Sequence, residues 1–155
     1  MPQFETRRRV RHRAEAMFDL VADVERYPEF IPFCESLVVR ERRREEGREV
    51  LVADMAVGYK RLRESFTSRV TLDRQNLFIC ADYLDGPFRT MHNRWTFPPL
   101  GESGCEIGFW IDYEFRSRTL GLVMGAMFDR VFRTFAGAFE ARADAVYGRG
   151  AEARA

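Results

Sequence analysis

From Thr119 to about Tyr147 the chain carries large, soft apolar side chains at the spacing of a helix face, and this run restricts the fold more than any other segment. Leu120, Val123, Met124, Met127, Phe128, Val131, Phe132, Phe135 and Phe139 supply it, and from Met124 onward they recur at steps of three and four. Arg130, Arg133, Glu140, Arg142 and Asp144 fall largely between them. At ~1.5 Å per residue such a helix is about 40 Å long. The segments before it alternate in the strand period. A long Phe/Met-faced helix laid across a curved sheet either fills a core or encloses an apolar cavity. The pattern alone leaves both outcomes open, and core is the commoner one.

Composition narrows the class. A chain of 155 residues fits one domain with room for a core, read here as residues 1–147 followed by a disordered tail, 148–155. Charged residues are 32% and hydrophobic ones 46%, a soluble globular profile. Phe supplies 14 residues, which leans toward a bulky core or an apolar pocket. A net charge of +1 gives no global pull toward nucleic acid, and DNA is not an expected partner. Cys34, Cys80 and Cys105 are scattered and form no CxxC, against a disulfide framework or a zinc ribbon. The first residues hold no apolar signal core, and the longest apolar run, Leu120 to Phe128, contains two glycines and is too short to span a bilayer. The expected location is cytoplasmic, with at most a peripheral membrane contact.

Gln3–Arg11 reads as a strand and Ala14 to about Glu25 as a helix with Met17, Phe18, Val21 and Val24 on one face. Tyr27-Pro28-Glu29-Phe30-Ile31-Pro32 forces a turn, with a short helical turn starting at Pro28. Strands are predicted at Leu37–Arg43, Glu49–Val57, Arg61–Leu72, Leu77–Leu84, Phe88–Phe97 and Glu106–Phe115, with turn residues between them, including Pro98 through Gly104. Short connections predict an antiparallel meander. Alternation places Leu62, Glu64, Phe66, Ser68, Val70 and Leu72 on one side of the fourth strand, with Arg61, Arg63 and Arg69 on the wet side. Met91, Asn93, Trp95 and Phe97 face inward on the next-to-last strand, as do Ile107, Phe109, Ile111, Tyr113 and Phe115 on the last. Any bulge would invert the assignment beyond it.

Four stretches resemble a known family. They are Phe18-Asp19-Leu20-Val21-Ala22-Asp23-Val24-Glu25-Arg26-Tyr27-Pro28-Glu29-Phe30-Ile31-Pro32, then Val57-Gly58-Tyr59-Lys60 with Arg63-Glu64-Ser65-Phe66-Thr67-Ser68-Arg69-Val70, and Asp85-Gly86-Pro87-Phe88-Arg89. Together they are similar to the coenzyme Q-binding START-domain family, part of the polyketide-cyclase and START-like (SRPBCC) superfamily, over Arg7 to about Tyr147. The resemblance implies an α+β helix-grip fold, with a seven-stranded antiparallel sheet wrapped around a long C-terminal helix and a hydrophobic tunnel between them. It implies binding of a polyisoprenoid quinone in support of respiratory electron transfer, without catalysis and with the quinone as ligand rather than cofactor. Bacterial relatives are described as toxins acting on ribosomal subunit association, so the ribosome is a second expected partner. Arg13 stands where relatives often carry a Ser helix cap, which weakens that cap.

The residues supply candidates for each reading. Phe66, Met91, Trp95, Phe109 and Tyr113 from the sheet, with Met124, Phe128, Val131 and Phe135 from the helix, are the expected tunnel walls, and Met adapts to an irregular ligand. Glu64, Ser68 and Asn93 are the expected polar contacts for a head group. Glu64 has two alternatives: an ion pair with an arginine at the sheet edge, or service as a general base in an aromatic polyketide cyclase or dehydratase. His12 and His92 are the only histidines, His92 points outward, and no GxSxG, HExxH, P-loop or dinucleotide motif occurs. Arg7, Arg8, Arg9, Arg11 and Arg13, and Arg40, Arg42, Arg43 and Arg44, read either as solvated strand edges or as docks for anionic lipid or ribosomal RNA. Leu120–Phe128 is apolar nearly all round, and reads as a membrane-touching portal, a dimer contact or a buried helix start.

Overall fold

The computed structural model describes residues 3–59 and 61–148, with the side chains of Tyr59 and Leu62 outside the description. β1 (Gln3–Val10) leads into α1 (Ala14–Ala22) and a 3-10 segment (Val24–Glu29). β2 (Cys34–Glu45), β3 (Arg48–Tyr59), β4 (Leu62–Asp73), β5 (Phe78–Asp85) and β6 (Phe88–Thr96) follow. A two-residue β7 (Pro99–Leu100), β8 (Gly104–Phe115) and the 30-residue α2 (Arg118–Tyr147) complete the chain. The strands form one antiparallel sheet in the order β1-β8-β6-β5-β4-β3-β2, with β7 on β8. The expected meander is present, and β1 joins its far edge. α2 lies across the concave face, over β1 and β8, and meets α1.

Local chemistry accounts for the element ends. Arg13 starts α1 without any side-chain cap, as its residue type dictates. α1 stops at Ala22 rather than Glu25 because Asp23 leaves the helical region, at φ −82° and ψ 67°. The chain then tightens into the 3-10 segment from Val24, earlier than the expected start at Pro28. Buried Tyr27 pins that segment by donating its hydroxyl to the Val21 carbonyl at 2.5 Å. β5 begins at Phe78, not Leu77, because Leu77 has a left-handed φ of 52° at the end of a turn organised by Asp73. The Asp73 carboxylate accepts from the Asn76 backbone N–H at 3.1 Å and from its amide at 2.9 Å. The stretch from Pro98 to Gly104, expected to be only turn, holds β7. Ser117 caps α2 by accepting from the Leu120 N–H at 3.1 Å.

The face assignments hold. Ser68, Val70 and Leu72 are buried on β4 while Arg69 is exposed, and Met91, Trp95, Ile107, Phe109, Ile111 and Tyr113 are buried on β6 and β8. The β4–β5 pairing steps from Thr67↔Asp85 to Ser68↔Tyr83, so the extra residue, Leu84, lies in β5 and leaves the faces of β4 unchanged. Met124, Met127, Phe128, Val131, Phe132 and Phe139 of α2 are buried, but Leu122 and Val123 are exposed. The inward assignment of Leu62 and the tail beyond Gly148 lie outside the described residues.

Candidate functional site: an apolar cavity under the long helix

The cavity follows from side-chain size along the sheet rows. Ala53 of β3 faces Ser68 of β4, and Val70, Ala81, Asn93 and Ile111 form one row across β4, β5, β6 and β8. Small side chains therefore occupy the middle of the concave face. Phe128, Phe132 and Phe135 of α2 span it from above. The rings cannot descend to fill the gap, because neighbouring rings hold them: Phe132 against Tyr113 at 5.3 Å and Phe135 against Phe109 at 5.5 Å. The void has a volume of about 90 Å³. Left empty, 90 Å³ costs about 2 kcal/mol at ~24 cal/mol per Å³.

Seven of the expected residues line this void: Phe66, Met91, Trp95, Phe128 and Phe135 in the walls, with Ser68 and Asn93 as polar groups. The structure removes five others from it. Phe109 is the cross-strand neighbour of Trp95, with ring centroids 4.5 Å apart, and packs against Phe132 and Phe135 without lining the space. Tyr113 is packed among Phe88, Phe115 and Phe132. Met124 and Val131 are buried on the helix but do not line the void. Glu64 is on the correct face of β4, yet it sits nearer the β3–β4 turn, half-buried and off the cavity. Among the described residues it has no ion-pair partner, so the edge pairing with arginine is also absent. Sequence reasoning missed Tyr27, Leu37, Met55, Ala53 and Ala81. The two alanines carried a legible signal, as small residues at inward positions of otherwise bulky strands.

The cavity is uncharged. Burial pushes the Tyr27 phenol far above its ordinary range, with Cys34 and Asp23 adding to the effect, so it stays protonated. Burial and neighbouring Glu35 push the Cys34 thiol up to about 11, and that thiol is outside the lining. Ser68 and Asn93 make no side-chain hydrogen bond to other described residues, which leaves their polar atoms for whatever occupies the space. His12 is bound to Asp144 at 2.7 Å and His92 to Asp82 at 2.9 Å, both away from the void. Among the described residues no cluster fit to hold a metal ion occurs, and no helix is long and apolar enough to cross a membrane. The arrangement can take a neutral, largely apolar group and offer it two hydrogen-bonding side chains.

Gly86 shapes one end of the cavity. Its φ is 145°, and a Cβ there would stand 2.6 Å from Cβ of Phe66 and 3.0 Å from its Cα, so only glycine lets the β5–β6 turn lie this close to β4. Arg116 holds the turn from the other side, donating its backbone N–H to Pro87 at 3.0 Å and its guanidinium to the Gly86 carbonyl at 2.9 Å.

An antiparallel sheet gripping a long C-terminal helix over an apolar cavity defines the START-like class of α+β proteins. Residues 10–140 match the family described as polyketide cyclase / dehydrase and lipid transport, and the chain belongs to that family. A relative named as the ribosome association toxin RatA, from Vibrio cholerae, is 36% identical over 87% of this chain and 90% of its own length. A Xenopus laevis relative, named as the mitochondrial coenzyme Q-binding protein COQ10 homolog B, is 30% identical over 87% of this chain and 55% of its own. The solved Zhui aromatase/cyclase from Streptomyces sp. R1128 shares the fold, with a TM-score of 0.77 at 20% identity over 92% of this chain and 93% of that one.

Proposed function

We propose that this protein binds the head group of ubiquinone or a related prenyl lipid in the cavity and carries it in support of respiratory electron transfer, without catalysing a reaction on it. The carrying observation is the uncharged void in which the Ser68 and Asn93 side chains have no hydrogen-bond partner among the described residues. The relative named for coenzyme Q binding supports the same ligand class. A non-enzymatic role accords with a lining that contains no carboxylate, imidazole or thiol. In this reading the quinone is a ligand and the protein has no cofactor of its own. It meets its ligand at a membrane, and within the expected contact Leu120–Phe128 the exposed Leu122 and Val123 are the groups that touch it.

Organic extracts of the protein purified from a quinone-replete host test this. Prenyl quinone in near-stoichiometric amount is expected, and Ala81→Leu, which fills the void, should lower it several-fold while the protein remains folded. Extracts free of any lipid would sink the proposal. A cyclase would instead turn over a polyketide substrate, which this protein is expected to leave unchanged.

Ribosome association is the second reading, favoured by the RatA relatives, which match nearly end to end. Most of the expected arginine dock is already engaged: Arg7 with Glu5 and Glu106, Arg8 with Glu140, Arg40 with Asp54, Arg42 with Glu25 and Glu49. Arg9, Arg11 and Arg44 have no carboxylate partner among the described residues and are the groups available to phosphate. Co-sedimentation with ribosomal subunits that falls steeply with salt, and is lost in Arg9→Gln/Arg11→Gln, would establish this reading.

A further inference from the structure

The ring proposed for the void is larger than the void. An engineered cavity of ~150 Å³ holds one benzene, whereas this one has about 90 Å³. A substituted quinone ring is bulkier than benzene, so part of the wall must give way. We propose that the Leu37–Met55 pair is the part that yields, through outward bowing of Ser36–Val39 on β2, and that these two residues set how large a ring the site admits. The proposal rests on the hydrophobic-ligand reading above and adds to it a determinant of ligand size.

The other walls are fixed from behind. Phe128 packs against Phe88 at 5.1 Å and Phe115 at 5.6 Å, Phe132 against Tyr113 and Phe135 against Phe109. Phe66 is wedged between Phe88 at 5.7 Å and Phe128 at 6.3 Å. Ser68, Ala81, Asn93, Trp95 and Ile111 stand on β4, β5, β6 and β8, each laddered to a strand on both sides. Tyr27 is buried, bonded to the Val21 carbonyl and set edge-on to Phe139 at 5.3 Å. Leu37 and Met55 differ. Both line the void, they pair with each other across β2 and β3, and they are only half-buried.

The chain around Leu37 has slack. β2 is an edge strand of the sheet, laddered to β3. The pairing steps from Cys34↔Val57 to Ser36↔Ala56 and from Val39↔Ala53 to Glu41↔Val52, so Glu35 and Arg40 are extra residues on β2. Ser36–Val39 therefore lies between two bulges. Beyond them the strand is tied: the Phe33 carbonyl accepts from the Gly58 N–H at 2.9 Å, and Arg42 pairs with Glu49 at 2.8 Å and Glu25 at 3.0 Å. Phe33 is held at a left-handed φ of 68°, a strained setting for a bulky residue. α2 packs over β1, β8 and α1 rather than over β2, and Val38, on the opposite face of the segment, is 57% exposed. An edge segment with a surplus residue at each end can bow outward while the ladder beyond it stays intact. Met55, beside it, has an unbranched and adaptable side chain that follows the shape of what enters.

Nuclear magnetic resonance of the full chain, titrated with benzene, naphthalene and a short-chain ubiquinone, tests the proposal. Each ring should bind saturably and shift the amides of Ser36–Val39 and the Met55 methyl, naphthalene more than benzene, while the amides of Val131–Phe139 change little. Leu37→Ala and Met55→Ala, which enlarge the room, should each tighten naphthalene relative to benzene about tenfold. That is a gain which a misfolded chain would not show. Met55→Ile keeps the side chain's size but stiffens it, and should weaken naphthalene several-fold with benzene unchanged. Phe128→Leu makes room at the helix wall and should shift the ratio less. Rings that bind with Ser36–Val39 unmoved, or a size preference that Phe128→Leu changes and Met55→Ala does not, would overturn the proposal. Ubiquinone separates the two claims. A β2 response to benzene and naphthalene without saturable ubiquinone binding sinks the ligand reading alone. Ubiquinone bound with Ser36–Val39 unmoved sinks the yielding wall alone, and a void that admits none of the three rings sinks both.

Discussion

The two halves of α2 are built differently although one apolar period runs through both. The C-terminal half is tied to the rest of the molecule by polar contacts: Arg8 to Glu140 at 2.6 Å, His12 to Asp144 at 2.7 Å, Arg142 to Glu29, and the Tyr147 hydroxyl to the Ala16 carbonyl at 3.2 Å. Its Phe139 is fully buried and packs edge-on against Tyr27, Phe30 and Trp95. The N-terminal half has no such ties from its own side chains among the described residues. Rings and methionines hold it, and it presents Leu122 and Val123 to solvent. Directional polar contacts fix one end of the helix, while non-directional apolar contacts hold the cavity end. The difference assigns anchoring to one half and the roof of the cavity to the other.

Phe139→Ala strikes the anchored half and should have the largest effect, about 3–5 kcal/mol of unfolding free energy in urea titrations. A loss below about 1 kcal/mol would mean that this half is not the anchor. Asp144→Ala leaves buried His12 without its partner and should cost about 1–3 kcal/mol by the same measurement. A smaller effect is expected from acid. Arg142, and then Arg26, hold the Glu29 carboxyl below its ordinary value of 4.5 by hydrogen bonding to the ionised form. A depressed folded-state pKa means that this contact contributes above pH 4.5 and is lost as pH falls through the folded-state value. Amide protection, taken relative to the intrinsic exchange rate at each pH, should therefore fall in the C-terminal half of α2 below that pH while the N-terminal half changes less. Equal change in both halves would erase the distinction.

How much of this was legible in the sequence differs between fold and site. Periodicity reported which residues share a face, and that sufficed for α2, for the meander and for the concave sides of β4, β6 and β8. It carries no information on where the partner surface ends. Val123 continues the apolar row of α2, yet the first turns of the helix leave it in solvent. Periodicity also says nothing of depth. Bulk points to Phe109 and Tyr113 as walls, although they pack among other rings outside the lining, and it passes over Ala53 and Ala81, whose small size makes the void. Glu64 shows the same limit along a strand: the right face, two residues from Phe66, but off the cavity. Pro28 marks a helical turn in the sequence, but the 3-10 segment already begins at Val24, which moves the end of α1 back to Ala22.

The central claim, that the void under α2 holds a quinone head group, is tested most directly by tryptophan quenching. Trp95 lines the void and Trp110 lies off it, stacked beneath Arg94 with the guanidinium 5.0 Å from the ring centroid. In a Trp110→Phe background, Trp95 is the sole reporter, because the chain has 2 tryptophans. Titration with a short-chain ubiquinone should quench it saturably at about one ligand per chain, and Ala81→Leu should weaken the quenching at least about tenfold by filling the same space. Quenching that never saturates, or that survives Ala81→Leu unchanged, would contradict the account.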